Sequence, residues 1–406
     1  MANRDSYIVA LDLGSAKTCA LVCERVENGR LRVAGFGKAE SRGWRRGVIV
    51  NLDSAHLAIK KAVEAAENEA GIPVDNAYVG VGGPHIRGVN SRGGLTLAKP
   101  PKTTRQVTHE DARRVFEAAQ AVSLPPDREV IFAEPQEYML DAESGIRNPV
   151  GMLGSRLEVD AHLVTASILA HENVVLAVNK SGMRVNATIF EALAAAAACL
   201  TPDERELGVA VVDIGGGSSN MAIYSEGCLR YSGVIPVGGD HFTNDIAVGL
   251  RTPIPEAEKI KIQWGQCGPE ETEKPIEVPC VGERPSRTVS YSTLGEFIEP
   301  RVQELLELTA AEIERSGLRA QLRGGIVLTG GGGKLGGMVS LAEQVLELPA
   351  RLGVPYGLEQ MGDILPDSAY ATVAGLAIQG HRLSLLRDSH SSGITSRLLG
   401  LFGGKN

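Results

Sequence analysis

The sequence predicts an α/β fold made of two related halves, with an α+β segment inserted into the first half and a second insert in the other. Three observations carry this. The stretch "YIVALDLGSAKTCALVCE" (7–24) is echoed by "GVAVVDIGGGSSNMAIYSE" (208–226), about 200 residues later, which marks a duplication. Aliphatic strand-like runs alternate with helix-like segments in both halves, as in layered α/β domains. Two stretches, 84–162 and 246–310, interrupt that alternation.

Each echoed segment reads as strand, tight Gly turn, strand: a hairpin with Asp at the end of its first strand. In the first half a third strand follows, "RLRVAGFGKAE", then the helix "SAHLAIKKAVEAAENEAG". Asp53 or Ser54 is its cap candidate and Gly71 its stop. The strand "AYVGVGG" comes next. The second half repeats the order with "LRYSGVIPVGGD", a helix near "FTNDIAVGL", the long helix "LGEFIEPRVQELLELTAAEIERSG" and the strand "GGIVLTGGGG". The 84–162 insert holds strand-like segments and one helix starting at the "THED" cap; 246–310 contains the Pro-rich "GPEETEKPIEVPCVGERP". The expected organisation is a first-half core at 1–83 and 163–201 with the 84–162 insert, and a second-half core at 202–245 and 311–383 with the 246–310 insert. A linker at 384–392 and a terminal segment at 393–406 complete it.

Composition narrows the function. The 43% apolar and 22% charged fractions are those of a folded globular chain. A net charge of −8 without a basic cluster argues against nucleic acid as a partner. No run reaches the ~18 apolar residues of a membrane span, and the N-terminus is not a signal peptide. The six Cys form no CxxC pair and read as small core residues. The eight His have no ligand-like spacing, so no structural metal centre is expected.

The hairpins carry the chemistry. A Gly-rich turn directs several backbone N–H groups at one point, a nest for phosphate oxygens. A strand-end Asp offers a hard oxygen to hydrated Mg²⁺. Residues 12–18 (Asp12, Gly14, Ser15, Ala16, Lys17, Thr18) and 213–219 (Asp213, Gly215, Gly216, Gly217, Ser218, Ser219) are thus expected to close on a polyphosphate from two sides, Lys17 adding a point charge and Asp12 and Asp213 reaching Mg²⁺ through water. One such hairpin alone is more often a structural turn; two, symmetrically placed, favour the phosphate reading. A third Gly-rich stretch, "GIVLTGGGGKLGG" (325–337), fails as a P-loop because Leu328 and Leu335 stand where Gly and a hydroxyl are needed. A Gly turn before a helix can still hold a nucleotide's sugar or α-phosphate. Glu191, opening the Ala-rich "FEALAAAAACL", is either a solvated first-turn acid or a carboxylate that orients water near a γ-phosphate.

This constellation resembles the actin-like ATPase superfamily: two phosphate loops ("LDLGSAKT", "VDIGGGSS"), a connecting helix ("FEALAAA") and an adenosine loop ("LTGGGGKLGG"). The resemblance implies ATP and Mg²⁺ as cofactors. It assigns Gly330, Gly331, Gly332 and Lys334 to the adenosine loop, adds Gly239, and matches "AEKIK" to a helix where Glu258 and Lys261, one turn apart, flank the adenosine. Within the superfamily the chain is similar to the bacterial cell-division FtsA family through "ESRGWRRGVIVNLD", "EPQEYMLDAESGIRNPVGM", "DERELGVAVVDIGGGSS", "FIEPRVQELLEL" and "GIVLTGGGGKLGGM", and through the insert itself. That family implies a self-polymerising, ATP-gated scaffold rather than a turnover enzyme. It holds the tail of FtsZ at the inner face of the cytoplasmic membrane at the division site and recruits other division proteins. Arg301 and Glu304, on the helix matching "FIEPRVQELL", are carried over as FtsZ contacts; by spacing alone they read as a one-turn surface ion pair. The acidic Glu191 leaves slow hydrolysis open. Other uses of the same fold are a small-molecule kinase, a chaperone-like ATPase, and an adaptor for pilus assembly or cell shape.

The chain ends "SSGITSRLLGLFGGKN". Ile394, Leu398, Leu401 and Phe402 fall on one helical stripe, and Arg397 adds charge for anionic lipids. Fully burying one such side chain stabilises by about 1.5–3 kcal/mol. A short helix rich in Gly loses much of that to ordering, so the segment reads as a weak, reversible membrane anchor that needs a polymer's avidity. A helix packed back on the core is the other reading.

Overall fold

The computed structural model describes residues 6–26, 29–45, 47–98, 104–268, 275–281, 285–363 and 365–391. Two sheets repeat one topology. In the first, the strands run Arg184–Phe190, Asn76–Val81, Tyr7–Leu13, Lys17–Arg25, Leu31–Glu40, with the short Leu358–Glu359 at the edge. In the second they run Ala350–Leu352, Ile326–Thr329, Val209–Ile214, Ser219–Ser225, Cys228–Ile235. In both, the hairpin and third strand are antiparallel, and two further strands join in parallel on the far side of the first. The duplication seen in the sequence is therefore a duplication of sheet order.

Among the described residues ten α-helices pack on these sheets and in the inserts: α1 (Leu52–Ala70), α2 (His109–Gln120), α3 (Ile168–Lys180), α4 (Glu191–Cys199), α5 (Pro202–Leu207), α6 (Gly239–Leu250), α7 (Ile254–Trp264), α8 (Tyr291–Ser316), α9 (Met338–Leu346) and α10 (Ala371–Ser391). Tyr7–Leu13 is buried on both faces, which is why it reads as a continuous apolar run. One face packs on α1 and α3; the other meets α4 and α10. The α1 cap is Asn51, whose side chain accepts from the Ser54 N–H at 2.9 Å, so Asp53 and Ser54 sit inside the first turn rather than capping it. Gly71 ends that helix at φ 68°, where a side chain would be strained.

α4 and α10 lie where the halves join, in a core that draws on both sheets. The run of alanines in α4 is explained there. A Cβ added to Gly375 of α10 would come within 1.7 Å of the Ala194 carbonyl oxygen, so only small residues let the two helices approach.

The first insert is a four-stranded antiparallel sheet, ordered Glu143–Ile146, Arg128–Leu140, Arg156–Ser167, Arg87–Thr96, with α2 on one face and a core of its own. Thr108 caps α2 in a reciprocal box with Asp111, and Arg105 holds the Asp111 carboxylate well below the usual range. The second insert shares its core with the second sheet: Ile246, Ala257, Ile276 and Leu294 pack with Val212 and Leu328.

Four expected boundaries move. Residues 163, 246 and 310 fall inside Arg156–Ser167, α6 and α8, because each of these elements runs on from core into insert. The linker expected from 384 is helical through Ser391: α10 continues, with Ser384 buried and Arg387 donating to the Asn186 carbonyl at 2.6 Å. Ile394, Arg397, Leu398, Leu401 and Phe402 lie outside the described residues. Among the described residues no helix is long and apolar enough to cross a membrane.

Candidate functional site

The two hairpins meet. Register pairs Leu13 with Thr18 and Ile214 with Ser219, leaving turns at 14–17 and 215–218. A Cβ added to Gly216 would stand 3.1 Å from the Ala16 Cβ and 3.3 Å from the Ala16 nitrogen, so the tips face each other. Each is pinned from behind. Ser15 Oγ accepts the Gly47 N–H at 3.1 Å, and the first N–H groups of α6, on Gly239 and Asp240, donate to the Gly215 and Gly216 carbonyls at 2.9 Å.

Beneath them opens a cleft of about 500 Å³. Its walls include Asp12, Gly14, Ser15, Ala16, Lys17, Glu191, Asp213, Gly215, Gly216, Gly217, Ser218, Glu258, Lys261, Gly330, Gly331, Gly332 and Lys334, brought together from seven separate elements and loops. Gly239 is not on the wall; it is buried, and its carbonyl accepts the Lys261 ammonium at 3.0 Å. Lys261 also pairs with Glu258 at 2.7 Å, which fits their one-turn spacing on α7.

Three carboxylates crowd the floor. Burial pushes Asp12 up to about 7, against the pull of Lys17 and with a further push from Asp213. Asp213 is raised by burial despite accepting from Thr372 Oγ1 at 2.7 Å. Glu191 is raised well above the usual range by burial and by the charges of Asp12 and Asp213. It is thus a cleft acid, not a solvated first-turn one. Its neighbour is Asn220, which donates to Glu191 Oε2 at 2.7 Å. Burial thus raises all three acids, with mutual repulsion added at Asp12 and Glu191, and among the described residues no group of three or more acidic, His or Cys side chains is placed to hold a metal ion directly.

The cysteines are not part of this chemistry: Cys19 and Cys23 are fully buried and pushed up to about 12, as core thiols are. Nor are Arg301 and Glu304. They lie on α8, where Arg301 pairs with Glu304 and with Asp245 of α6 (2.6 Å). The sequence reading missed Lys38, Gly82, Asn220, Tyr370 and Thr372. Gly82 lies in the strand end "AYVGVGG", and the others belong to no Gly-rich motif; the fold brings them to the cleft.

Comparison with known proteins supplies the family. A family model described as "Cell division protein FtsA" matches residues 210–375, and one described as an SHS2 domain inserted in FtsA matches 83–165. The FtsA of Pseudomonas aeruginosa is 44% identical over 378 residues, 92% of this chain and 89% of its own. The chain belongs to the FtsA family of cell division proteins. The FtsA of Escherichia coli K12 is 37% identical, covering 97% of this chain and 93% of its own. Solved structures show the actin-like fold of the family at lower identity. The PilM–PilN type IV pilus biogenesis complex aligns with a TM-score of 0.62 at 17% identity, covering 92% of this chain and 98% of that one. MreB5 of Spiroplasma citri bound to AMPPNP aligns at 0.59 and 17%, covering 95% and 98%. The MamK double helical filament aligns at 0.54 and 11%, covering 92% and 98%. FtsA membership places this chain in cell division, and the pilus-assembly alternative is not favoured by a 17% fold-level likeness.

Proposed function

We propose that the cleft binds ATP with Mg²⁺ and that nucleotide state governs assembly into an actin-like filament. That filament tethers FtsZ to the inner face of the cytoplasmic membrane at the division site and serves other division proteins. The observation that carries the nucleotide reading is the meeting of two Gly-rich hairpin tips over Asp12, Asp213 and Glu191. Backbone nests would take the phosphates, with Lys17 as a point charge. Asp12 and Asp213 would hold Mg²⁺ through water, and the ion would supply charge neutralisation among the phosphates. Gly330, Gly331, Gly332, Lys334, Glu258 and Lys261 would frame the nucleoside. Glu191 would orient water for slow hydrolysis, secondary to a scaffold role. An AMPPNP-bound neighbour and a filament-forming one share the fold, which supports both parts of the reading.

Arg301 and Glu304 are the residues through which α8 would take the C-terminal tail of FtsZ. Ile394, Arg397, Leu398, Leu401 and Phe402 would form the membrane foot. Co-sedimentation with anionic liposomes tests the whole, comparing the full chain with residues 1–390, with and without ATP. ATP-dependent pelleting of the full chain and its loss on truncation are expected. Complete pelleting of monomer under non-polymerising conditions would refute the coupling of polymer to membrane.

A further inference from the structure

The two strand-end acids of the cleft are held differently. Among the described residues no hydrogen bond reaches the Asp12 carboxylate. Asp213 has a donor: Thr372, buried in the first turn of α10, gives its Oγ1 proton to Asp213 Oδ2 at 2.7 Å. The other oxygen, Oδ1, has no hydrogen-bond partner among the described residues. It lies against the Gly330 turn, where a Cβ added at φ 79° would come within 2.3 Å of it. Asp213 is thus held by one oxygen, and the other is left at a point where Asp213, Gly330 and Thr372 together form cleft wall.

The hydroxyl is itself braced. Ser368, four residues before Thr372, accepts the Gly330 N–H on its carbonyl at 3.1 Å and donates Oγ to the Gly330 carbonyl at 3.1 Å. Gly375, three residues after Thr372, is locked against the Ala194 carbonyl of α4. The rotation of an Asp carboxylate about its last bond is broad and weakly preferred. A donor fixed on one oxygen therefore decides where the other stands. A hydrated Mg²⁺ meets carboxylates through its waters, which sit in near-octahedral order, so it asks for well-placed acceptor oxygens rather than a cluster of direct ligands.

We propose that Thr372 is a positioning residue of the nucleotide site: its hydroxyl fixes Asp213 in the rotation that leaves Oδ1 for the waters of the Mg²⁺ accompanying the phosphates. This rests on the cleft being a nucleotide site. It places a hydroxyl of α10, outside both Gly-rich hairpins, behind one of the two acids, and it breaks the symmetry of the duplicated halves at that point.

The test is calorimetric titration of the full chain with AMPPNP, in Mg²⁺ and again in EDTA. Thr372→Val keeps the shape and removes the hydroxyl; Thr372→Ser keeps the hydroxyl. Loss of a partner that orients a cation's carboxylate predicts binding weaker by ~10-fold in Mg²⁺ and by less than ~2-fold in EDTA for Thr372→Val, with recovery in Thr372→Ser. In an Asp213→Asn background Thr372→Val should add no further loss. If Thr372→Val does not fold, Thr372→Ala carries the same expectation. Equal losses in Mg²⁺ and EDTA, no loss, or no recovery in Thr372→Ser would overturn the assignment and leave the hydroxyl as a partner for a buried acid and nothing more. So would a wild type that binds equally well with and without Mg²⁺. A wild type that binds AMPPNP in neither condition would overturn the cleft reading instead.

Discussion

Asn220 Nδ2 donates to Glu191 Oε2 at 2.7 Å, and Asn220 Oδ1 accepts the Gly83 N–H at 3.4 Å. One amide thus joins the second half's hairpin to the opening of α4 and to the end of a first-half strand. The glutamate has little freedom besides: a Cβ added to Gly82 would lie 2.1 Å from Glu191 Oε2. Asn220→Asp would replace a donor by a fourth carboxylate among Asp12, Asp213 and Glu191. The expected cost is about 2 kcal/mol without nucleotide. Urea denaturation of the variant reads it; an unchanged midpoint would mean that the amide does not hold Glu191.

The join between α4 and α10 should be intolerant of a single methyl. Gly375→Ala places it 1.7 Å from the Ala194 carbonyl oxygen, and about 3 kcal/mol of stability should be lost as the helices part. Gly295, inside α8 with nothing within 4 Å of an added Cβ, is the counterpart: Gly295→Ala should gain about 0.5–1 kcal/mol from helix propensity. Thermal denaturation of both separates packing from propensity.

The insert is fastened to the second half by a histidine. His162 Nδ1 lies 2.6 Å from Asn90 Oδ1 and Nε2 lies 2.8 Å from Ser232 Oγ. The amide oxygen can only accept, so Nδ1 donates and Nε2 accepts from Ser232. Burial lowers His162 to about 4, against 6.5 for a free ring. Between those values the unfolded chain binds the extra proton. Stability from this group is therefore full above pH 6.5 and falls as pH drops toward 4, by roughly 3 kcal/mol in all. His162→Gln should flatten that part of the stability–pH curve. An equal slope in the variant would remove His162 as its cause.

Arg301 has two duties in the proposed scheme, and they can be told apart. Its guanidinium braces Asp245 and Glu304. Arg301→Glu leaves three acids together and should lower both stability, by about 1–2 kcal/mol, and binding of the FtsZ C-terminal peptide. Arg301→Lys keeps the charge but not the fork, and should weaken peptide binding at nearly native stability. Full peptide binding by both variants would take Arg301 out of the interface.

The sequence by itself determined the duplicated halves, because a hairpin is local and its Asp-x-Gly turn recurs with the same neighbours in both copies. It likewise marked the C-terminal end of α1 at Gly71 and the start of α2 at Thr108, since such caps act within a few residues of themselves, but not the start of α1, which Asn51 caps. It also named half of the cleft wall, the two hairpin turns from their own Gly-rich pattern and the 330–334 loop, Glu258 and Lys261 from the family resemblance. The tertiary structure decided the rest. Lys38, Asn220, Tyr370 and Thr372 are ordinary residues in strand and helix, and they enter the site only because sheet order and the α4–α10 crossing carry them there. The reach of α10 past residue 384 was equally hidden. "SLLRDSHS" has the composition of a linker, and what keeps it helical is packing: Ser384 is buried and Arg387 finds a carbonyl on a strand about 200 residues away. Local pattern fixes what a segment can form; which charges and carbonyls meet is set by long-range packing, and that is where this cleft acquires its chemistry.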